Sequence, residues 1–280
     1  FFHTKLDGYG ERRDFPAGTY RVSGELDINV DKRFTFFGVG RYSSIIKTTS
    51  ATANIFHKSV AGWYDTFMDL GFQSSVTKTA GAAIRISAGN NVGMNVYRVW
   101  ITGLFKGIEA IGSQSANLSV WSDLDISSIP NGGRGLHVNG DTINLMIHNA
   151  TINGGAATTS ACCEINQSGA VQVTACDWIQ GTNVLLINST AGAGPQACYF
   201  TNCFFDQPQG SVIKIIGTNT ANRIKFTQCG IATSSAGGAA GFHGIEIAGT
   251  GAGAVGTTTA LPAGISIVDC DIYHQAGNGT

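Results

Sequence analysis

The stretch Ala197–Asn219, ACYFTNCFFDQPQGSVIKIIGTN, holds two alternating apolar runs separated by an Asn-Cys pair and carries no helix signal. The same grammar returns at residues 223–249 as RIKFTQCGIATSSAGGAAGFHGIEIAG, and stands earlier at residues 170–189 as AVQVTACDWIQGTNVLLINS. Self-similarity at a fixed period of 20–50 residues is the mark of a solenoid or array. Eight segments align on one another: FMDLGF, VYRVWI, WSDLDI, IHNATI, VTACDW, FTNCFF, FTQCGI and IVDCDI. Their fourth positions are Leu70, Val99, Leu124, Ala150, Cys176, Cys203, Cys229 and Cys270, at intervals of 29, 25, 26, 26, 27, 26 and 41 residues. Three places before stand Phe67, Val96, Trp121, Ile147, Val173, Phe200, Phe226 and Ile267. Two places after stand Phe72, Ile101, Ile126, Ile152, Trp178, Phe205, Ile231 and Ile272. All three columns are apolar throughout.

Between these segments lies a second motif of period two: AIRIS, GIEAI, GLHVN, CCEIN, VLLIN, VIKII and GIEIA. Alternation over about five residues is the signal of a strand with one buried face. Each period of about 26 residues therefore supplies two or three short strands, with no room for the helix of a βα unit and without leucine-rich spacing. The prediction is an all-β chain folded as a right-handed parallel β-helix, one repeat per rung, with rungs stacked about 4.8 Å apart. Residues 1–30 read as an N-terminal cap and first rung, and residues 31–280 as the β-helix, a single domain expected to belong to a longer chain. A parallel β-helix also leaves an unpaired backbone edge at its last rung, which further polypeptide or a partner subunit is expected to cover.

Composition agrees. The chain has 280 residues, of which 43% are hydrophobic and only 12% charged, and its 38 glycines indicate many turns. A formal net charge of −1 provides no basic field for nucleic acid or an anionic membrane. No apolar run reaches the ~18 residues of a membrane-spanning helix. Seven cysteines show no CxxC spacing, and in-register stacking holds Cβ atoms farther apart than the ~3.8 Å of a disulfide. A stack of buried thiols is the expectation, with no metal and no cofactor. The polar residue before that column (Asp69, Asp123, Asn149, Asn202, Gln228, Asp269) is expected to turn the chain by bonding nearby backbone.

Two N-terminal motifs, DFPAGTYRVSGELDI at residues 14–28 and RFTFFGVGRYSSIIKTT at residues 33–49, resemble the first rungs of the pectate-lyase-like β-helix superfamily, bacteriophage tailspikes in particular. The resemblance implies a homotrimer in a virion tail or outside the cell, binding and often depolymerising bacterial surface polysaccharide. A non-catalytic structural or adhesion module, and a secreted polysaccharide lyase or hydrolase, are the alternatives. The polygalacturonase set NTD, DD, GHG and RIK is represented only by RIK at residues 223–225, on an ordinary strand, and the Arg-centred signature of pectate lyases is missing.

Chemistry on such a fold is expected as a column of outward side chains. One column follows the interior cysteine position: Gly71, Trp100, Asp125, Thr151, Asp177, Phe204, Gly230 and Asp271. Asp125 and Asp177 stand two rungs apart, about 9.6 Å at the usual strand spacing, near the 6.5–9.5 Å of an inverting glycosidase. They are the first candidates for acid and base, with Trp100 and Phe204 as sugar platforms and Asp206 as a third carboxylate. A solvated face with scattered acids is the alternative. A second column runs Arg85, Glu109, His137, Glu164, Leu186, Lys214 and Glu246. Glu109 and Glu164 flank His137, an arrangement that raises a carboxyl's pKa for acid/base work, or else simply alternates charge along a ladder. A third outward set, Asn95, Tyr97, Val120, Ser122, Met146, His148, Gln172, Thr174, Tyr199 and Thr201, lacks full charges and suits an oligomer interface or a glycan groove. The loops within the 41-residue interval, Gly-, Ala- and Thr-rich, are candidates for groove walls.

Overall fold

The computed structural model describes residues 11–29, 31–87, 89–140, 142–155, 159–188, 195–217, 223–234, 243–249 and 264–275. The two loops proposed as groove walls fall mostly outside these residues. Every described segment is strand, turn or bend; no helix occurs among them. All strand pairings are parallel. Among the described residues, ten strands stack on one face of the solenoid, from Glu11–Phe15 and Phe34–Gly38 at one end to Ile224–Thr227 and Ile265–Val268 at the other. Each rung continues onto a second face, as in Gly71–Ser74 and Trp100–Thr102, and then onto a third, as in Ala82–Ile86 and Lys106–Ile111. The chain is a parallel β-solenoid whose rungs are paired in the register read from the repeat: Val96 opposite Trp121, Trp121 opposite Ile147, Val173 opposite Phe200, Phe200 opposite Phe226.

The interior follows from that register. Inward positions of all three faces meet in one continuous core that includes Phe67, Val96, Trp121, Ile147, Trp178, Phe200 and Phe226. Aromatic rings stack between adjacent rungs, Phe36 on Phe67 and Phe200 on Phe226, both with centroids 4.9 Å apart. This matches the 4.7–4.9 Å strand separation, so the ladder spacing itself seats ring on ring. Ile267 and Ile272, on the last described rung, are 45% and 53% exposed.

First and second faces are joined by one residue in the left-handed region: Asp69, Arg98, Asp123, Asn149, Ala175, Asn202, Gln228 and Asp269, all with φ between 50° and 56°. Asn and Asp tolerate this conformation best, and other residues pay for it with roughly 1–2 kcal/mol. The expected mechanism needs correction. The bends are held by backbone bonds that run on through them, such as Arg98 N–H to Ser122 O at 3.0 Å and Ala175 N–H to Thr201 O at 3.0 Å. Side chains of the bend column bond one another instead: Arg98 grips Asp69 with two bonds of 2.7 and 2.8 Å, and Asn149 donates to Asp123.

All seven cysteines are free thiols, six buried and Cys270 partly exposed. Cys176, Cys203 and Cys229 form the anticipated interior stack; the hydrogen bond that Cys203 donates to Cys176, together with burial, pushes the Cys203 thiol up to about 12. Thiol labelling of the native protein is expected to modify Cys270 rapidly and the remainder only after denaturation. Rapid loss of two or more thiols in native buffer would contradict this packing.

Candidate active site

The second face carries the first candidate column in unbroken register. Trp100 lies opposite Asp125, Asp125 opposite Thr151, Thr151 opposite Asp177, and Asp177 opposite Phe204. Asp125 and Asp177 are thus two rungs apart, with the exposed Thr151 between them. The two aromatics lean away from this gap. The indole of Trp100 lies over Gly71, and the ring of Phe204 lies over Gly230, where a Cβ would sit 2.6 Å from it. Glycine at those positions leaves room for each ring; Asp177 is exposed and Asp125 half-buried.

The bend between Phe34–Gly38 and Ser44–Thr48 is not a single residue but residues 39–43. This longer loop reaches over later rungs. Tyr42 donates its hydroxyl hydrogen to Asp125 Oδ2 at 2.6 Å, and its ring packs 5.5 Å from that of Trp100. Arg41 lies 5.0 Å over the Tyr42 ring and donates to the carbonyl of Asp123 at 3.1 Å. Together Arg41, Asp69, Arg98, Asp123, Asp125, Asn149 and Thr151 line an open cleft of about 590 Å³. Neither Arg41 nor Tyr42 was a candidate from the sequence. The only signal for them was the extra length of that one bend.

Asp206, the third carboxylate, is only 5% exposed, and its Oδ1 accepts the Gln207 N–H at 2.6 Å. Partial burial and the charge of Asp206 together raise the Asp177 carboxyl above its ordinary range. The structure therefore brings Trp100, Asp125, Asp177, Phe204 and Asp206 onto one strip, and places the cleft at its Trp100 end.

The remaining candidates stand on the third face, separate from this strip. Its outward column reads Asp27, His57, Arg85, Glu109, His137, Glu164, Leu186, Lys214, Glu246. An acid–His–acid chain is not formed. His137 Nδ1 meets Glu109 at 2.9 Å, but its Nε2 faces Asn166 at 3.3 Å, while Glu164 pairs with Arg134. Burial would raise the Glu109 carboxyl, yet hydrogen bonds from His137 and Lys106, with their charges, outweigh it and hold Glu109 at about 2. That is the reverse of the elevated value a general acid requires. It makes Glu109 a source of stability that is present above the ordinary carboxylate range and lost as pH falls toward 2. The charge-alternating reading describes this column.

Among the described residues, Glu25, Asp27 and His57 form the one group whose ligand atoms lie within 4.8 Å of one another. Both ring nitrogens of His57 are already engaged, Nδ1 with Glu25 at 2.7 Å and Nε2 with Ser87 at 2.6 Å.

No family model matches the sequence, and no curated protein is similar to it. Among solved structures, the chain is similar to ORF18 of Geobacillus virus E2, at 14% identity and a TM-score of 0.46 over 95% of this chain and 55% of that one. It is similar to the catalytic unit of a thermostable GH87 alpha-1,3-glucanase from Streptomyces thermodiastaticus, at 11% identity and a TM-score of 0.49 over 96% of this chain and 64% of that one. The A-module of the mannuronan C-5 epimerase AlgE4 from Azotobacter vinelandii gives 13% identity and a TM-score of 0.41, over 97% and 91% of the two chains. The chain thus spans less than two thirds of the first two. These likenesses concern the fold.

Proposed function

We propose that this chain is the β-helical part of a phage tailspike or related extracellular receptor-binding protein, and that its second face binds and hydrolyses a bacterial surface polysaccharide. The observation that carries this reading is the two-rung spacing of Asp125 and Asp177 across the exposed Thr151, with the rings of Trp100 and Phe204 in the same column beyond them. A separation of two rungs is about 9.6 Å between backbones, leaving space for a water between carboxylates as in inverting hydrolysis. Asp177 donates its proton to the glycosidic oxygen, and Asp125, held by the Tyr42 hydroxyl, accepts a proton from water over Thr151. Trp100 and Phe204 hold sugar rings on either side. Asp206 acts through Asp177 as a positioning residue, keeping the proton on it.

Outward residues of the first face between Thr35 and Thr201 include no Asp, Glu, Lys or Arg. An uncharged sheet face supports association between copies, a homotrimer in this reading.

The test is incubation of the protein with capsular polysaccharide and lipopolysaccharide from a panel of bacteria, following reducing ends and the ultraviolet absorbance of unsaturated products. Reducing ends without absorbance are the expected result. Absorbance growth would mean a lyase, and binding without cleavage would mean an adhesin. Asp206→Asn is expected to leave cleavage in place but move the alkaline limb of the pH profile to lower pH. Removing that negative charge leaves burial alone to hold the Asp177 proton, so the active, protonated form is lost earlier as pH rises. An unmoved limb would remove Asp206 from the mechanism.

A further inference from the structure

The third face holds a line of three side chains that alternation of charge does not explain. Glu25 Oε1 lies 2.7 Å from His57 Nδ1, and His57 Nε2 lies 2.6 Å from Ser87 Oγ. Along the ladder Asp27, His57 and Arg85 stand opposite one another. Glu25 is two places before Asp27 and Ser87 two places after Arg85, so the period of two turns all three outward on neighbouring rungs. Carboxylate, imidazole and hydroxyl therefore run diagonally over three rungs, brought together from 32 and 30 residues apart.

The chemistry of the line fixes its protons. Burial would raise the Glu25 carboxyl, but hydrogen bonds from Asn54 and His57 hold it below its ordinary range. An ionised carboxylate only accepts, so His57 Nδ1 carries the proton it shares with Glu25. In the neutral ring Nε2 is then the acceptor, and the Ser87 hydroxyl donates to it. A hydroxyl bonded to a base, which a third group orients, is the arrangement that activates serine toward acyl carbon. His57 and Ser87 are half-buried and Glu25 is exposed, so solvent reaches the line. Arg85 stands opposite His57, with its buried Nε–H making no hydrogen bond among the described residues and lying 3.5 Å from Glu109.

We infer that Glu25, His57 and Ser87 form an ester-hydrolysing site on the third face, acting on short acyl esters such as O-acetyl groups. Ser87 Oγ attacks the carbonyl carbon while His57 Nε2 takes its proton. The intermediate collapses by breaking the bond to the alcohol oxygen, which leaves with that proton. Water, deprotonated by the same nitrogen, then attacks the acylated Ser87, releasing the carboxylic acid and restoring the hydroxyl. Arg85 supplies positive charge for the oxyanion, and Glu25 is a positioning residue. The outward neighbours Asp27, Ser59 and Arg85 are polar and offer no lining for a long acyl chain. No residue is shared with the Asp125–Asp177 column, so the inference stands apart from the reading of the second face.

Incubation with a fluorophosphonate, and separately with p-nitrophenyl acetate, both with EDTA present, tests it. The expected result is one covalent adduct, mapped by peptide mass spectrometry to Ser87, and turnover of the acetate. Ser87→Ala should abolish both, and His57→Gln should slow both by about 10²–10⁴-fold. Glu25→Gln should slow labelling and Glu25→Asp restore part of it, a graded response that a merely structural hydrogen bond does not give. Thermal melting of each variant checks its fold, and the adduct on the unaltered protein needs no variant. An unlabelled Ser87, or acetate hydrolysis unchanged in Ser87→Ala, overturns the inference. So does activity that EDTA removes and zinc restores, which would make Glu25, Asp27 and His57 a metal site instead.

Discussion

Asp177→Asn is expected to lower kcat for polysaccharide cleavage by about 10²–10⁴-fold, the usual contribution of a positioned proton donor, with little change in KM. Asparagine keeps the shape and removes the transferable proton. The side chain is outward and exposed, so the fold should be untouched. The loss depends on the leaving group. An aryl glycoside whose aglycone departs without protonation should recover much of the rate in Asp177→Asn, whereas Asp125→Asn should remain slow with either substrate, because activation of water is still required. Steady-state kinetics on both substrates separates the roles. Full activity of Asp177→Asn on the natural polymer would show that the acid lies elsewhere.

Asp65→Ala is expected to destabilise the chain by about 3–5 kcal/mol, the scale for removing one partner of a buried ion pair. Lys58 and Asp65 are 1% and 2% exposed, with Nζ and Oδ2 3.3 Å apart. Asp65 Oδ1 also accepts the Phe34 N–H at 2.7 Å, and the Lys58 ammonium lies 5.5 Å from the Phe34 ring. The pair ties the chain between the third face of one rung and the first face of the next to the strand beginning at Phe34. Burial pushes the Asp65 carboxyl above its ordinary range against the pull of Lys58, which shows how little solvent remains to screen a lone charge. Urea unfolding of Asp65→Ala, Lys58→Met and the double variant forms a cycle whose coupling should exceed 1 kcal/mol. Additive losses would mean that the two side chains act independently.

The candidate site was legible only as far as the period reaches. In a parallel solenoid the neighbours of a residue are the residues one period away, so aligning the repeat already placed Asp125 and Asp177 two rungs apart with Thr151 between. Arg41 and Tyr42 escaped this logic. They reach Asp123 and Asp125 from 82 and 83 residues away, through a loop that departs from the period. The third face misled for a related reason. Alignment placed His137 between Glu109 and Glu164, but Arg134, lying beside the column, took Glu164, and Lys106 joined His137 on Glu109.

By itself the sequence determined the solenoid, its register and which side chains point outward. Apolar columns at a constant period have one way to be buried together, and a slip of one residue would turn each strand's core set to solvent. Only the tertiary structure decided which outward groups work together. Trp100 and Phe204 lie over Gly71 and Gly230 because those rungs leave room, Glu109 is held as an anion by its neighbours, and Asp206 is buried with its Oδ1 on the Gln207 N–H. Rotamer, burial and charge pairing depend on the volumes and charges of side chains on adjoining rungs, which a repeat alignment orders but does not measure.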